Sequence, residues 1–219
     1  MALVIRPHHR HAFSDLLDQM YRLRHRVFVE RLGWTLDTDG IHEIDQFDDG
    51  GCLHMVALDA DGQVRATTRL TPSQEPNVTC DVLETQMDGR FPRGPHIIEV
   101  SRHCVDPDLG KAERDDILLD LRRSQAELSD ACGWSHKLGV SYDRHIQPWI
   151  RSGFNVEILG APFRFPGDAE YSFGWMVSRN AAHPSLILDL LEARRKYLQD
   201  PDTDPGLLVR YGDRVLREA

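Results

Sequence analysis

Between residues 12 and 32, apolar side chains return every three or four positions, at Leu16, Met20, Leu23 and Val27. That spacing puts them on one face of a helix, with Ser14 near its start and Gly33 placed to end it. Residues 34–51 lose the period and fill with acidic and turn residues, which predicts a loop. LHMVALD and VRATTRL read as two strands joined across Asp61-Gly62 in a β-hairpin. Residues 72–95 hold four prolines and two glycines, so a long irregular excursion is expected, with one short helix. HIIEVSR reads as a central strand. A second helix is expected over 112–132, with Leu118, Leu121, Leu128 and Cys132 on one face. SHKLGV is a further strand, 143–152 a helix ended by Gly153, and FNVEILG and YSFGWMVS the last strands. HPSLILDLLEARRKYLQ reads as one more helix. Hairpin, strand, helix, strand, helix, strand is the order of an α+β sandwich with a mixed central β-sheet flanked by helices.

The 219 residues are enough for one domain with a substantial core, and a hydrophobic fraction of 41% is that of a globular protein. The net charge of −9 argues against a nucleic-acid binder. It would also repel an acidic protein in bulk, so docking one would need a local basic patch. Arg114, Arg122 and Arg123 on the second helix, with Arg144, Arg151 and Arg164 later, are the candidates; ordinary solvated arginines are the equal alternative. Cys52, Cys80, Cys104 and Cys132 are widely spaced with no C-x-x-C, and read as buried free thiols of a reducing cytoplasm. MALVIRPHHRH has only five apolar residues before Arg6, too few for a signal peptide, and no run approaches a membrane span. A cytoplasmic location follows, with neither nucleic acid nor membrane as partner.

The densest chemistry lies in residues 21–48, YRLRHRVFVERLGWTLDTDGIHEIDQFD. Arg24 could clamp a carboxylate in bidentate fashion. Phe28 and Trp34 could hold a cation against their π faces, and Asp45 or Asp48 could take an ammonium. S-adenosylmethionine carries a carboxylate, an ammonium and a sulfonium. On spacing alone, an ordinary amphipathic helix, a core tryptophan and a solvated acidic loop fit the same residues better.

The segment resembles the N-terminal signature of the acyl-homoserine-lactone synthases, the quorum-sensing autoinducer synthases. That pattern has Arg, Phe, Trp, Asp and Asp where Arg24, Phe28, Trp34, Asp45 and Asp48 stand. It continues with Arg69 in TTRL and with Glu99, Ser101 and Arg102 in IIEVSRHCV. The resemblance covers residues 10–178, the synthase core of a single domain 1–219, with 180–219 as a C-terminal helical extension. It implies an acetyltransferase-like fold. It also implies synthesis of an N-acyl-homoserine lactone from S-adenosylmethionine and a thioester of acyl-carrier protein or coenzyme A. S-adenosylmethionine is then a substrate, and neither a separate cofactor nor a metal is expected. The implied S-adenosylmethionine site is Arg24, Phe28, Trp34, Asp45, Asp48, Arg69, Ser101 and Arg102. Which of Arg24, Arg69 and Arg102 takes the carboxylate is open. Catalysis is expected from Glu99, as general base for the amine, with Asp45 and Arg102.

The implied acyl pocket is Leu83, His103, Gly139 and Ser141. Leu83 stands where the family often has Phe, His103 where it usually has an aromatic, and Val100 where it usually has Leu. In the family a hydroxyl at the position of Gly139 goes with 3-oxo donors. Gly139 supplies none, although Ser141 lies on the same strand face. An unsubstituted acyl group is therefore expected, with Gly139 widening the pocket toward medium or long chains. The alternative is another N-acyltransferase of the same fold. Its coenzyme A pyrophosphate would sit in the loop DPDLGKAERDD, whose single glycine and acidic residues make a poor cradle. A sensor of S-adenosylmethionine would need Glu99 or Arg102 to be lost, and both are present.

Overall fold

The computed structural model describes residues 2–87, 91–151, 154–165 and 168–178. Strands β1 (Ala2–Ile5), β2 (Leu53–Leu58), β3 (Val64–Pro72), β4 (Ile97–Val105), β5 (His136–Tyr142), β6 (Asn155–Phe163) and β7 (Ser172–Ser178) form one sheet. Their order is β1-β2-β3-β4-β5-β7-β6, and every pairing is antiparallel except β4 with β5. Helix α2 (Lys111–Ala131) makes the crossover that this parallel pair requires, and α3 (Asp143–Arg151) links β5 to β6. This is the expected α+β sandwich with a mixed sheet. The predicted final helix, and residues 180–219 as a whole, lie outside the described residues.

Strand β1 is absent from the sequence-based reading. Its ALVI run is too short to show a period, yet all four side chains are buried and pair with β2. The first helix begins earlier and changes pitch. A 3₁₀ turn over Pro7–Phe13 leads into α1 (Ser14–Arg24), which widens to a π-helix over His25–Arg31.

Alternation along the strands gives the sheet two apolar faces. On one, Leu17, Met20, Leu23 and Val27 pack on Leu3, Ile5, Val56 and Cys104. On the other, Leu121 and Leu128 of α2 pack with Trp134 on Val4, Met55, Leu70 and Ile98. Full burial of each such side chain contributes about 1.5–3 kcal/mol. Of the expected α2 face, Leu118 is only half-buried and Cys132 is exposed, because the helix turns Ser124 and Gln125 to the sheet beside Leu121 and Leu128.

Two irregularities shape the middle of the sheet. The β4–β5 ladder consists of Ile97–His136, Ile98–Lys137 and Glu99–Leu138. Beyond it β5 follows β7 to its end, and a gap opens between Val100–Cys104 and Gly139–Tyr142. Within β4 the register against β3 shifts between Thr67 and Arg69, and Arg102 takes φ 50°. A bulge of this kind usually places glycine in the left-handed region. Holding an arginine there costs on the order of 1–3 kcal/mol, which its surroundings must offset.

Candidate active site

The π-helix builds the aromatic half of the site. Leu32 N–H reaches Val27 O, five residues back, and Gly33 at φ 70° closes the end. Trp34 N–H then returns to Phe28 O at 2.9 Å, which lays the indole on the Phe28 ring with centroids 4.9 Å apart and planes at 16°. Phe28 is buried, and the Arg102 guanidinium lies 5.8 Å from its centroid. The expectation of two aromatic faces around a cation is therefore corrected: Phe28 stacks on Trp34, which is half-buried and also has Phe165 tilted beside it, with centroids 6.1 Å apart.

The loop before β2 builds the charged half. Asp45 accepts the Phe47 N–H and Asp48 accepts the Asp45 N–H, so the loop orders its own carboxylates. Glu43 N–H donates to Tyr21 O and ties the loop to α1. Three guanidiniums then meet three carboxylates. Arg24 donates to Glu43 at 2.6 Å and to both oxygens of Asp48, at 2.8 and 2.9 Å. Arg69 holds both oxygens of Asp45 and also donates to Asp48 Oδ1 at 3.0 Å. Arg102 bonds Glu43 at 3.0 Å and Asp45 Oδ2 at 2.7 Å. These last bonds offset the strain at Arg102.

Two expectations about direct ligand contacts fail here. Arg24 and Asp48 are both 0% exposed, and their hydrogen bonds are taken up by one another together with Glu43, Arg69 and the Asp45 N–H. Burial opposes the Asp48 charge, but Arg24 and Arg69 hold its carboxyl below the usual range. Burial likewise opposes the Arg24 charge, and Asp48 and Glu43 more than compensate. Neither group can clamp a carboxylate or take an ammonium from solution; they are the foundation under Arg69, Asp45 and Arg102. Glu43, which the sequence reading missed, joins Arg24 to Arg102.

Glu99 lies beside this cluster, 0% exposed, on the same sheet face as Ser101 and Arg69. It accepts from Thr79 Oγ1 at 2.8 Å and Ser101 Oγ at 3.0 Å, and Ser101 Oγ in turn accepts from Arg69 Nε at 3.1 Å. Burial pushes the Glu99 carboxyl up, against the pull of Arg69 and both hydroxyls. Asp48, Cys52 and His54 each bring one ligand atom within 4.8 Å of the others. They do not suit a metal: Asp48 already carries two guanidiniums, Arg10 Nη2 lies 3.1 Å from Cys52 Sγ, and the cations would repel a further one.

The residues assigned to the acyl pocket are not all brought together. Leu83 ends a π-helical turn, Thr79–Leu83, that covers the Glu99 face of the sheet. His103, by contrast, faces α2 and α3. It is open to solvent yet crowded by protein, and that crowding, with Arg122 and His145, pushes its imidazole down to about 4. The space expected beside Gly139 is occupied: a Cβ there would stand 2.8 Å from Cζ2 of Trp175 and 2.7 Å from Val100 O. The Ser141 hydroxyl accepts from Trp175 Nε1 at 2.9 Å. Several of the candidate docking arginines also have partners. Arg114 binds Pro107 O and Leu109 O, Arg144 pairs with Glu170, and Arg164 lies over Tyr171.

The loop has its own latch to α1. His42 Nδ1 is 2.8 Å from Asp39 Oδ2, and Nε2 is 2.9 Å from Asp18 Oδ1. Only the imidazolium can donate from both nitrogens. Asp39 and then Asp18 raise the His42 pKa, with Arg22 opposing. The stabilisation is thus complete below the ordinary histidine value of 6.5 and is lost as pH rises through the raised folded value. Denaturant titrations across pH should show wild type more stable than His42→Asn on the acid side, converging at alkaline pH. A difference that stays constant with pH would refute the latch.

The model of the autoinducer synthase family matches residues 8–165, most of the chain. The protein belongs to the autoinducer synthase family. Within that family it is 38% identical over 159 residues to the acyl-homoserine-lactone synthase of Ralstonia nicotianae, covering 70% of this chain and 78% of that one. The solved structure of BjaI, a coenzyme A-dependent acyl-homoserine lactone synthase with S-adenosylmethionine and isopentyl-coenzyme A, superposes with a TM-score of 0.73. It is 25% identical and covers 88% of this chain and 89% of that one. A putative N-acetyltransferase from Lactobacillus plantarum shares the fold alone, with 18% identity and a TM-score of 0.50 over 81% of this synthase-family chain and 97% of that one. Among the described residues, no helix is long and apolar enough to cross a membrane.

Proposed function

We propose that this enzyme makes an N-acyl-L-homoserine lactone from S-adenosylmethionine and an acyl thioester of coenzyme A or acyl-carrier protein. The observation that carries the site assignment is the exposed edge of the charge cluster. Arg24, Arg69 and Asp48 are sealed, whereas the Arg102 and Asp45 side chains keep 11% and 14% of their surface open beside the stacked Phe28–Trp34 pair. Arg102 takes the substrate carboxylate, Asp45 the ammonium, and Trp34 the sulfonium by a cation–π contact of about 0.5–2 kcal/mol. The three arginines balance Glu43, Asp45 and Asp48, so an ionised Glu99 leaves one negative charge in excess. S-adenosylmethionine, with two positive groups and one negative, supplies its complement.

The amine must lose a proton before it attacks the thioester carbonyl. Ser101 Oγ accepts that proton while passing its own to Glu99, to which it already donates. The amide forms and the thiol leaves. The ligand carboxylate then attacks its own γ-carbon, closing the lactone and expelling methylthioadenosine. The sulfonium is already a good leaving group, so this step needs a folded ligand more than an acid or base. The Arg102 pairing, at the cluster's open edge, leaves the carboxylate free to turn. The reaction needs no separate cofactor, and the free cysteines suit a cytoplasmic enzyme.

Mass spectrometry of culture medium after expression tests the reading directly, since it identifies lactone and acyl chain together. Absence of any lactone when both substrates are supplied to folded protein would overturn it. Trp34→Ala should raise the S-adenosylmethionine requirement about tenfold, roughly 1.4 kcal/mol. Calorimetry finding wild-type affinity would remove Trp34 from the site.

A further inference from the structure

Trp175, which no family signature above includes, lies at the edge of the gap between β4 and β5. The gap between β4 and β5 opens just past the Glu99–Leu138 pair, with Val100 packed toward α2 on one side and Gly139 and Ser141 against Trp175 on the other. Trp175 pairs with Gly139 in the β5–β7 ladder and is 2% exposed. Its indole lies across β5: Cζ2 and Cε2 fall 2.8 and 3.3 Å from the Gly139 Cβ position, and Nε1 reaches Ser141 Oγ. That same Cβ position is 2.7 Å from Val100 O, so the ring edge meets the seam where the strands part. Trp149 of α3 abuts the indole edge to face, with centroids 4.8 Å apart at 85°. A glycine beneath, a hydroxyl at the nitrogen and a second indole behind hold the ring in place. Glycine inside a strand is itself unfavourable and marks a close approach.

We propose that Trp175 sets the size of the acyl group, closing the gap to long chains and selecting a short or branched one. The inference rests on the synthase reading but concerns the donor alone. It reverses the expectation that Gly139 widens the pocket, because the room that glycine leaves is filled by the indole.

The full chain is assayed with butanoyl, isovaleryl, hexanoyl and decanoyl thioesters, on both coenzyme A and acyl-carrier protein, by methylthioadenosine release. Wild type should use the short or branched donors at least about tenfold better in kcat/KM than decanoyl, the discrimination that a few methylenes in a closed pocket supply. Trp175→Ala should raise the decanoyl-to-butanoyl ratio by about tenfold or more, mainly through the KM of the long donor, with the KM for S-adenosylmethionine little changed. Trp175→Phe, which keeps an aromatic in the core, should move the ratio the same way by less, and serves if the alanine variant does not fold. A wild-type preference for decanoyl, or an unchanged ratio in a folded variant, overturns the proposal. Turnover with none of the donors would instead sink the synthase reading.

Discussion

Arg24→Ala should lose about 3–5 kcal/mol of folding stability, the usual penalty for removing one partner of a buried ion pair. The cause is what remains. Asp48 would stay 0% exposed with only Arg69 to answer it, and Glu43 with only Arg102. The loop carrying Glu43, Asp45 and Asp48 would then have to open or take up protons. Arg24→Lys should recover only part of the loss, because an ammonium cannot span Glu43 and both oxygens of Asp48. Urea unfolding of the three proteins checks this. A midpoint for Arg24→Ala near that of wild type would mean that the cluster rearranges freely and that Arg24 is no foundation.

Glu99→Gln should fold and bind S-adenosylmethionine yet turn over about a hundredfold more slowly, the scale of a lost general base. Glutamine keeps the shape and can still meet Thr79 and Ser101, but it accepts no proton. Because burial pushes the Glu99 carboxyl up, the acid limb of the wild-type kcat/KM profile should lie above the ordinary glutamate range. That limb should vanish in the variant. A normal rate at saturating substrates would reduce Glu99 to a structural partner of Thr79 and Ser101.

The sequence carries the residues of the charge cluster better than it carries their roles. Arg24, Asp45, Asp48, Arg69 and Arg102 are recognisable from the family pattern, and the fold brings all five together. Which are sealed and which are open depends on burial, and nothing in a list of charged residues distinguishes them. Glu43 was hidden for the same reason. Among the many acids of residues 34–51 a buried one looks like a solvated one, and its only signal was its place two residues before Asp45. The π-helical turn left no trace in the apolar period, yet it decides that Phe28 backs Trp34 instead of facing it across a ligand. The hairpin and β4 were legible because turn chemistry and apolar runs are local. Trp175 was not, because its neighbour is Gly139 only through strand register, which is a property of the assembled sheet.

The bulge in β4 has a consequence for how such an enzyme diversifies. Arg102 and His103 are adjacent in the chain, but the extra residue sends one to the loop carrying Glu43 and Asp45 and the other toward α2 and α3. With the acyl group on the α2 side, as proposed, the two substrates are read through opposite surfaces of one strand, a sheet's thickness apart. Changes at His103, Gly139, Ser141 or Trp175 can then alter the vocabulary of the signal without disturbing the ion-pair lattice beneath the amino-acid donor. A lineage built on this scaffold is free to change its message while keeping the grammar by which every message is made.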